Sequence, residues 1–133
     1  MHPASEAQFL FSTMIPKKIL IVDDEAKVTR AYRLLFLHQG FEVFMASGAV
    51  KARDILIKEH VDVIVMDINM PEVDGADLFE TIRLFHKNAK VLVASAYPVE
   101  EQKERVKDAD GYFDKTDSID DLLGAVTKLL NNN

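Results

Sequence analysis

The sequence predicts an α/β domain in which helices cover both faces of a doubly wound, five-stranded parallel sheet. Two observations carry this prediction. Short, nearly unbroken apolar segments recur along the chain, and longer segments with apolar residues at helical spacing separate them. Such apolar runs are expected of parallel strands that are buried on both faces. A regular alternation of strands and helices is typical of doubly wound sheets.

The predicted strands are residues 19–22, 41–46, 61–66, 91–94 and 111–114. The first, third and fourth of them are almost entirely apolar, which favours central positions in the sheet. The second and fifth mix polar with apolar residues, as edge strands tend to do. Because crossovers between parallel strands are right-handed, these elements favour the strand order 2-1-3-4-5, the flavodoxin-like arrangement.

Helical spacing fills the intervals between the strands. Four of the predicted helices each have an apolar face. After the first strand it is formed by Val28, Tyr32 and Leu35, and after the second by Ala49, Ala52 and Leu56. After the third strand it is formed by Leu78, Phe79, Ile82 and Phe85, and after the fifth by Ile119, Leu122, Leu123, Val126, Leu129 and Leu130. Gly40 is a typical stop for the first helix. Segment 99–108 offers mainly Val99 and Val106 to a core, so we predict a weakly anchored helix there, suited to a surface that moves.

Composition excludes several classes of function. The chain has 133 residues, enough for one domain, and a formal net charge of −6 from 22 acidic and 16 basic side chains. A basic surface for nucleic acid is therefore not expected. Cysteine is absent, which excludes disulfides, Cys-zinc sites and thiol catalysis. No apolar run approaches the roughly 20 residues of a membrane span, so we expect no membrane segment.

Residues 1–16 are predicted to be an N-terminal extension or linker, and residues 17–131 the folded domain. No Lys or Arg precedes Lys17, so this extension does not resemble a secretory signal, and we expect a cytoplasmic protein. Ser5 and Gln8 have the spacing of a capping box ahead of an apolar triplet. A short docking helix is therefore an alternative interpretation of the extension.

Acidic residues follow two of the predicted central strands. Asp23 and Asp24 come directly after the first strand, and Asp67 comes directly after the third. Ligands of doubly wound sheets bind beyond the carboxyl ends of the strands where the strand order reverses, here between these two strands. Adjacent strands lie about 4.8 Å apart, so the three carboxylates are expected to converge.

Clustered carboxylates repel one another unless a cation compensates their charge. A hard divalent cation with oxygen ligands, most simply Mg²⁺, is the natural answer. Such a site would suit phosphoryl transfer to a carboxylate, forming an aspartyl phosphate. The alternative is that Asp23 and Asp24 only cap the following helix, whose N-terminus favours negative charge.

Two further polar residues end the neighbouring strands. Ser95 follows the fourth strand and Lys115 follows the fifth. The Ser95 hydroxyl could donate to a phosphoryl oxygen, and the Lys115 ammonium could neutralise another or pair with Asp67. Taken alone, Ser95 could be an ordinary turn residue and Lys115 a solvated charge, the usual state of a lysine. Polar residues of these types at four adjacent strand ends favour a phosphoryl site.

With these residues in place, the chain resembles the receiver domains of bacterial two-component response regulators, including the chemotaxis (CheY-like) type. The resemblance covers residues 17–130, and the matching segments are ILIVDDE, VIVMDINMPEVDG, VLVASA and GYFDKT. It implies that Asp67 is the phosphoacceptor and that Asp23 and Asp24 hold Mg²⁺ together with Asp67. It also implies that Asn69 adds its backbone carbonyl to the metal.

The resemblance assigns roles to the conformational switch as well. Ser95 matches the switch hydroxyl, Lys115 the family lysine, and Tyr112 the aromatic residue that turns inward when the hydroxyl moves. For Tyr112, the alternative is an ordinary edge-strand aromatic packed on its neighbours. The loop after the acceptor is matched by Met70, Pro71, Asp74 and Gly75, with Gly75 allowing a turn that side chains resist.

One residue departs from the family pattern. Proline, often preceded by a cis peptide, usually follows the lysine, whereas this chain has Thr116. A cis peptide before any other residue is costly, so the departure leaves open whether the Lys115–Thr116 peptide is cis or trans. Of the roles that the resemblance implies, the departure bears on that of Lys115.

The resemblance implies a signalling module without substrate turnover, beyond its own phosphoryl transfer and dephosphorylation. A histidine kinase or phosphotransfer protein would donate phosphate to Asp67, and the face formed by residues 99–131 would then bind a downstream protein or effector domain, or a second copy of the chain. Two alternatives remain open. One is a phosphatase with an aspartyl-phosphate intermediate, and the other is a docking module that is never phosphorylated.

Overall fold

The computed structural model describes residues 15–69 and 75–131, where strands and helices alternate. The strands are Lys18–Val22 (β1), Glu42–Ala46 (β2), Val63–Met66 (β3), Lys90–Ser95 (β4) and Gly111–Asp114 (β5). The helices are Ala26–His38 (α1), Ala49–Lys58 (α2), Gly75–Phe85 (α3), Val99–Arg105 (α4) and Ile119–Asn131 (α5). Most of the predicted extension, including its capping box, lies outside the described residues, as do Met70, Pro71 and Asp74.

The five strands form one parallel sheet in the order β2-β1-β3-β4-β5. The predicted doubly wound, flavodoxin-like fold is confirmed. Val22 pairs with Met66 on β3, and Ser95 pairs with Asp114 on β5. Because these pairs end their strands in register, the residues that follow them emerge along one edge of the sheet.

Two apolar layers hold the helices against the sheet. Leu20 and Val22 face the layer that contains α2 and α3, whereas Ile19 and Ile21 face the layer that contains α1 and α5. This alternation follows from the period of two along a strand. Burial of both faces explains why the central strands are mostly apolar, and all of Val63–Met66 in β3 is buried.

The strand at the centre of the sheet is shorter than predicted. Val61 and Asp62 were expected in the third strand, but β3 begins at Val63. Val61 is buried outside any strand, and the Asp62 carboxylate accepts a hydrogen bond from the backbone nitrogen of Lys18 at 2.8 Å. Burial of an apolar side chain therefore does not by itself place the residue in the ladder.

Helix α4 has the weak apolar anchoring that was predicted. Gln102 is its one buried residue, and Val99 is only partly buried. Val106 is 2% exposed but lies just beyond the end of the helix. None of the described helices is long and apolar enough to cross a membrane.

Two glycines meet specific backbone demands. Gly40 ends the α1 segment with φ of +88°, the left-handed conformation that glycine adopts without strain, so it stops the helix as predicted. At Gly75, a Cβ atom would lie 2.5 Å from the Cα atom of Ile68. Glycine is required there because the start of α3 approaches the backbone after β3 closely.

Candidate functional site

The ends of four adjacent strands bring the predicted residues together. Asp23 follows β1, Asp67 follows β3, Ser95 ends β4 and Lys115 follows β5. Backbone hydrogen bonds extend the ladder to these positions, from the Asp67 nitrogen to the Val22 carbonyl and from the Lys115 nitrogen to the Ser95 carbonyl, each at 2.9 Å. Asp23, Asp67 and Ser95 are at most 4% exposed. The fold thus places a polar cluster in a buried position.

Lys115 is an ion-pair partner in this cluster, so the alternative of a solvated lysine is wrong. Its ammonium nitrogen lies 2.5 Å from Oδ2 of Asp23, 2.9 Å from Oδ2 of Asp67 and 3.5 Å from Oε1 of Glu25. The Lys115 side chain is only 9% exposed. Three carboxylates therefore share one ammonium, and the cluster retains excess negative charge.

Burial and hydrogen bonds shift the pKa values of two groups in this cluster. Burial raises the pKa of Asp23 above its usual value, although hydrogen bonds from Lys115 and the Glu25 backbone oppose the effect. Burial by itself would lower the pKa of Lys115, but its hydrogen bonds to Asp23 and Asp67 outweigh this and hold the pKa above the usual value. Burial thus opposes the charge on Asp23, whereas the two aspartates stabilise the charge on Lys115.

The carboxylates that lie closest together differ from the predicted set. One oxygen from each of Asp23, Glu25 and Asp67 lies within 4.8 Å of the others, a donor set that suits a hard divalent cation. Asp24 is exposed and is not in this group. Sequence reasoning missed Glu25, although its place two residues after Asp23 could have indicated a shared direction.

Asp23 and Asp24 do not cap α1. The N-cap residue of this helix is Glu25, and no side chain makes a cap hydrogen bond. Asp23 Oδ1 instead accepts a hydrogen bond from the Glu25 backbone nitrogen at 2.9 Å, outside the helix. The orientation of the Asp23 carboxylate is thus set by its own loop and by Lys115.

Asp67 is held at both carboxylate oxygens. Oδ1 accepts a hydrogen bond from the backbone nitrogen of Asn69 at 2.9 Å, and Oδ2 accepts one from Lys115 at 2.9 Å. The first contact requires a tight turn directly after the strand. That turn keeps the Asn69 backbone beside the carboxylate.

Ser95 occupies the turn that follows β4. Its hydroxyl oxygen accepts a hydrogen bond from the backbone nitrogen of Tyr97 at 3.2 Å, as expected for the alternative of a turn residue. The side chain is nevertheless buried beside the cluster, at 1% exposure. Ser95 thus combines a turn contact with a position at the end of β4, next to β3.

Tyr112 is tied to the segment between α4 and β5. Its hydroxyl donates to the Val106 carbonyl at 2.6 Å and accepts from the Ala109 backbone nitrogen at 3.2 Å. The ring is partly buried and packs on the core layer that contains Val106. This contact set fits the alternative of a packed edge-strand aromatic in the conformation described.

The loop after Lys115 is organised without proline. The described residues contain no cis peptide bond, so the Lys115–Thr116 peptide is trans. Asp114 Oδ1 accepts hydrogen bonds from the backbone nitrogen of Thr116 at 2.9 Å and from its hydroxyl at 2.7 Å. A side-chain turn thus holds this loop, and Lys115 still reaches Asp67.

A family model for the response regulator receiver domain matches residues 19–127. This chain belongs to that family. Receiver domains interact with histidine kinases and effector domains. This chain is 31% identical over 121 residues to sporulation initiation phosphotransferase F of Bacillus subtilis, and the match covers 88% of this chain and 96% of that relative. It is 29% identical to response regulator MprA of a Mycobacterium species over 87% of this chain, but it spans only 51% of MprA.

Solved structures agree with the family. The receiver domain superimposes on response regulator TrrA of Thermotoga maritima, solved with Mg²⁺ and BeF, with a TM-score of 0.77 at 29% identity, covering 85% of this chain and 98% of TrrA. For a CheY-like receiver domain of Methanospirillum hungatei the TM-score is 0.82 at 25% identity, covering 88% and 95%. The acidic cluster of the present receiver domain is consistent with Mg²⁺ binding.

Proposed function

We propose that this receiver domain accepts a phosphoryl group on Asp67 in a Mg²⁺-dependent reaction and alters its partner-binding surface in response. The observation that carries the proposal is the convergence of two buried carboxylates, Asp67 and Asp23, and the exposed carboxylate of Glu25 on the one ammonium of Lys115. A phosphodonor histidine kinase or phosphotransfer protein fits this chemistry, and its reaction would take place in the cytoplasm.

Asp67 would act as the nucleophile. One of its carboxylate oxygens attacks the phosphorus atom and the leaving group of the donor departs, so that one P–O bond forms as the donor bond breaks. Lys115 already contacts Oδ2 at 2.9 Å and would neutralise a phosphoryl oxygen. Ser95 would donate its hydroxyl to another, giving up its turn contact.

The metal would be held by Asp23, Asp24 and Asp67 together with the carbonyl oxygen of Asn69, and Glu25 is a further candidate ligand. When bound, Mg²⁺ supplies positive charge to the phosphoryl oxygens. Three carboxylates around one ammonium leave excess negative charge, which a divalent cation would compensate, and this supports the proposal.

The responsive surface would be the face formed by residues 99–131, that is α4, β5 and α5. Helix α4 contributes only Gln102 to the buried interior, so few apolar contacts oppose its movement. Tyr112 would turn inward once Ser95 moves, which requires it to give up the Val106 carbonyl. A downstream protein, an effector domain or a second copy of the chain would bind this face.

The test is incubation with a small phosphodonor and Mg²⁺, followed by intact mass measurement. We expect an adduct of one phosphoryl group that is lost in Asp67→Asn and retained in Asp54→Asn, which changes an exposed aspartate on α2. Absence of an adduct with any donor would instead indicate a docking module. Sustained hydrolysis of a soluble phosphoester would indicate the phosphatase.

A further inference from the structure

The amide of Gln102 connects α4 with the ends of β4 and β5. Its nitrogen Nε2 lies 2.8 Å from the Tyr97 carbonyl, 2.9 Å from the Phe113 carbonyl and 3.4 Å from the Ser95 carbonyl. The side chain has no exposed surface. A helix with few apolar contacts is thus held to the sheet by a polar group next to Ser95.

The other end of the same amide lacks a partner. Oε1 of Gln102 is buried and receives no hydrogen bond from any described residue. Exchanging the positions of Oε1 and Nε2 would not relieve this. Oε1 would then face the carbonyl oxygens of Ser95, Tyr97 and Phe113, and two acceptors cannot form a hydrogen bond with each other. A buried acceptor without a donor is rare and energetically costly, so this oxygen favours any rearrangement that brings an N–H group to it.

Tyr97, whose carbonyl Gln102 already contacts, also carries such an N–H group. The Tyr97 backbone nitrogen donates to the Ser95 hydroxyl oxygen at 3.2 Å, and the Tyr97 carbonyl accepts from Gln102. If Ser95 rotates its hydroxyl towards a phosphoryl group, the Tyr97 nitrogen loses its acceptor. A partly buried donor in this loop and the buried acceptor on α4 would then both lack partners.

We propose that Gln102 is a positioning residue that exchanges hydrogen bonds with this loop: Oε1 accepts from the Tyr97 nitrogen when the Ser95 hydroxyl turns away. The exchange carries the movement of Ser95 to α4. The trigger rests on the proposed phosphorylation of Asp67, whereas the exchange itself depends only on Ser95, Tyr97 and Gln102.

A second contact ties the same loop to the same helix. The guanidinium of Arg105, the last residue of α4, lies 4.2 Å from the centre of the Tyr97 ring, a cation–π geometry. Arg105 also pairs with Glu101 at 3.1 Å, within the helix. Movement of Tyr97 therefore acts on α4 at its buried face through Gln102 and at its exposed end through Arg105.

Amide hydrogen exchange at Tyr97, measured without any ligand, tests whether Gln102 Oε1 can replace the Ser95 hydroxyl as the acceptor for this amide. Either acceptor should protect this amide, so we expect protection to persist in Ser95→Ala and in Gln102→Met and to fall about tenfold or more in the double variant. Full loss in Ser95→Ala alone, or retained protection in the double variant, would overturn the proposal.

A matched variant separates the amide from general loosening of the segment. Val106→Ala removes apolar contacts beside α4 and leaves Gln102 intact, so Ser95→Ala combined with Val106→Ala should keep the Tyr97 amide protected. The amide of Ile64, in the central strand, reports global unfolding in every variant. Equal loss of Tyr97 protection in both double variants would show a purely structural role and overturn the proposal.

Beryllofluoride with Mg²⁺, followed by NMR, tests transmission to α4. We expect Gln102→Met to bind the probe within about twofold of the original affinity but to show less than half of the chemical shift changes on α4. The control Gln39→Met, at an exposed glutamine, should behave like the unmodified chain. Full α4 changes in Gln102→Met would overturn transmission through Gln102.

The two experiments also separate this inference from the proposed function. If beryllofluoride causes no change anywhere in the unmodified chain, the proposed phosphoacceptor function fails. The Tyr97 exchange measurements need no probe, so they would still decide whether Gln102 replaces Ser95 as the acceptor.

Discussion

The ammonium nitrogen of Lys115 lies 2.9 Å from Oδ2 of Asp67, although the two residues follow strands that are not neighbours. β4 separates β5 from β3, so the lysine side chain extends across the end of β4, where Ser95 lies. The contact joins the edge of the sheet to its centre, and both side chains are at most 9% exposed.

Replacing Lys115 with methionine should destabilise the fold. The substitution keeps an apolar stem but leaves Asp23 and Asp67 buried without their ammonium partner, a change that typically costs about 3–5 kcal/mol. Denaturant unfolding at pH 7 without Mg²⁺ measures the free energy of unfolding. Lys51→Met, at an exposed lysine on α2, should change it by no more than about 0.5 kcal/mol.

The same defect should depend on pH and on metal. Protonation of the unpaired carboxylates removes their repulsion, so the difference between Lys115→Met and the unmodified chain should shrink as the pH falls towards 4. Added Mg²⁺ should also reduce it at pH 7. A difference that stays constant with pH would show that lost packing, rather than charge, causes the destabilisation.

Asp23→Asn should stabilise the metal-free protein at neutral pH. The pKa of Asp23 is raised by burial, so the folded state binds this proton more tightly than the unfolded state does. The stabilising contribution is fully present below the unfolded pKa of 3.8 and is lost as the pH rises through the folded pKa. Thermal unfolding should therefore show a higher Tm for Asp23→Asn at pH 7 and no such gain in acid.

Asp114→Asn provides the control of opposite sign. Hydrogen bonds from Thr116 lower the pKa of Asp114, so its contribution is present above the unfolded pKa and is lost as the pH falls through the folded pKa. Asp114→Asn should lower the Tm at pH 7. If both variants shift the Tm in the same direction at pH 7, the assigned causes are wrong.

Two neighbouring carboxylates can be separated by Mg²⁺ titration. We expect Asp24→Asn to weaken Mg²⁺ binding by about tenfold, a usual cost of altering a metal site, and Glu25→Gln to weaken it less. The reason is that Glu25 already lies 3.5 Å from the Lys115 ammonium, whereas no described residue forms an ion pair with Asp24. The reverse order of affinities would assign Glu25 to the metal and remove Asp24.

Introducing the usual family residue at Thr116 should not improve this chain. Thr116→Pro removes both donors that reach Asp114 Oδ1, and we expect a loss of about 1 kcal/mol in the free energy of unfolding. Thr116→Ser keeps both donors and should be close to neutral. Equal stability of the proline and serine variants would show that the side-chain turn does not stabilise the loop.

Apolar patterning predicted the sheet because both faces of its central strands are buried. It also predicted the convergence of Asp23 and Asp67, since carboxyl ends of parallel strands share one edge. The boundary at Val61 was wrong because burial extends beyond the hydrogen-bonded ladder. Asp24 and Glu25 could not be ranked from order along the chain, because the turn after β1 decides which exposed side chain lies closer to Asp23 and Asp67.

Gln102 was missed for a different reason. Hydrophobic periodicity detects apolar residues that face a core, whereas the buried face of α4 is formed by an amide. Its partners are backbone carbonyls of Tyr97 and Phe113, which are present at every position and carry no signal in the sequence. Segment 99–108 could be predicted to be weakly anchored, but the polar contact that holds it could not.

The absence of a side chain at Gly75 limits which mutations this domain can accumulate. A methyl group there would collide with the backbone of Ile68, the residue after Asp67, so the start of α3 and the loop after β3 have no clearance between them. A methyl group added at Gly124, on α5, would meet no atom within 4 Å. Random variation should therefore be tolerated at Gly124 and rejected at Gly75, which leaves α5 free to diverge while the close approach of Gly75 to Ile68 stays constant.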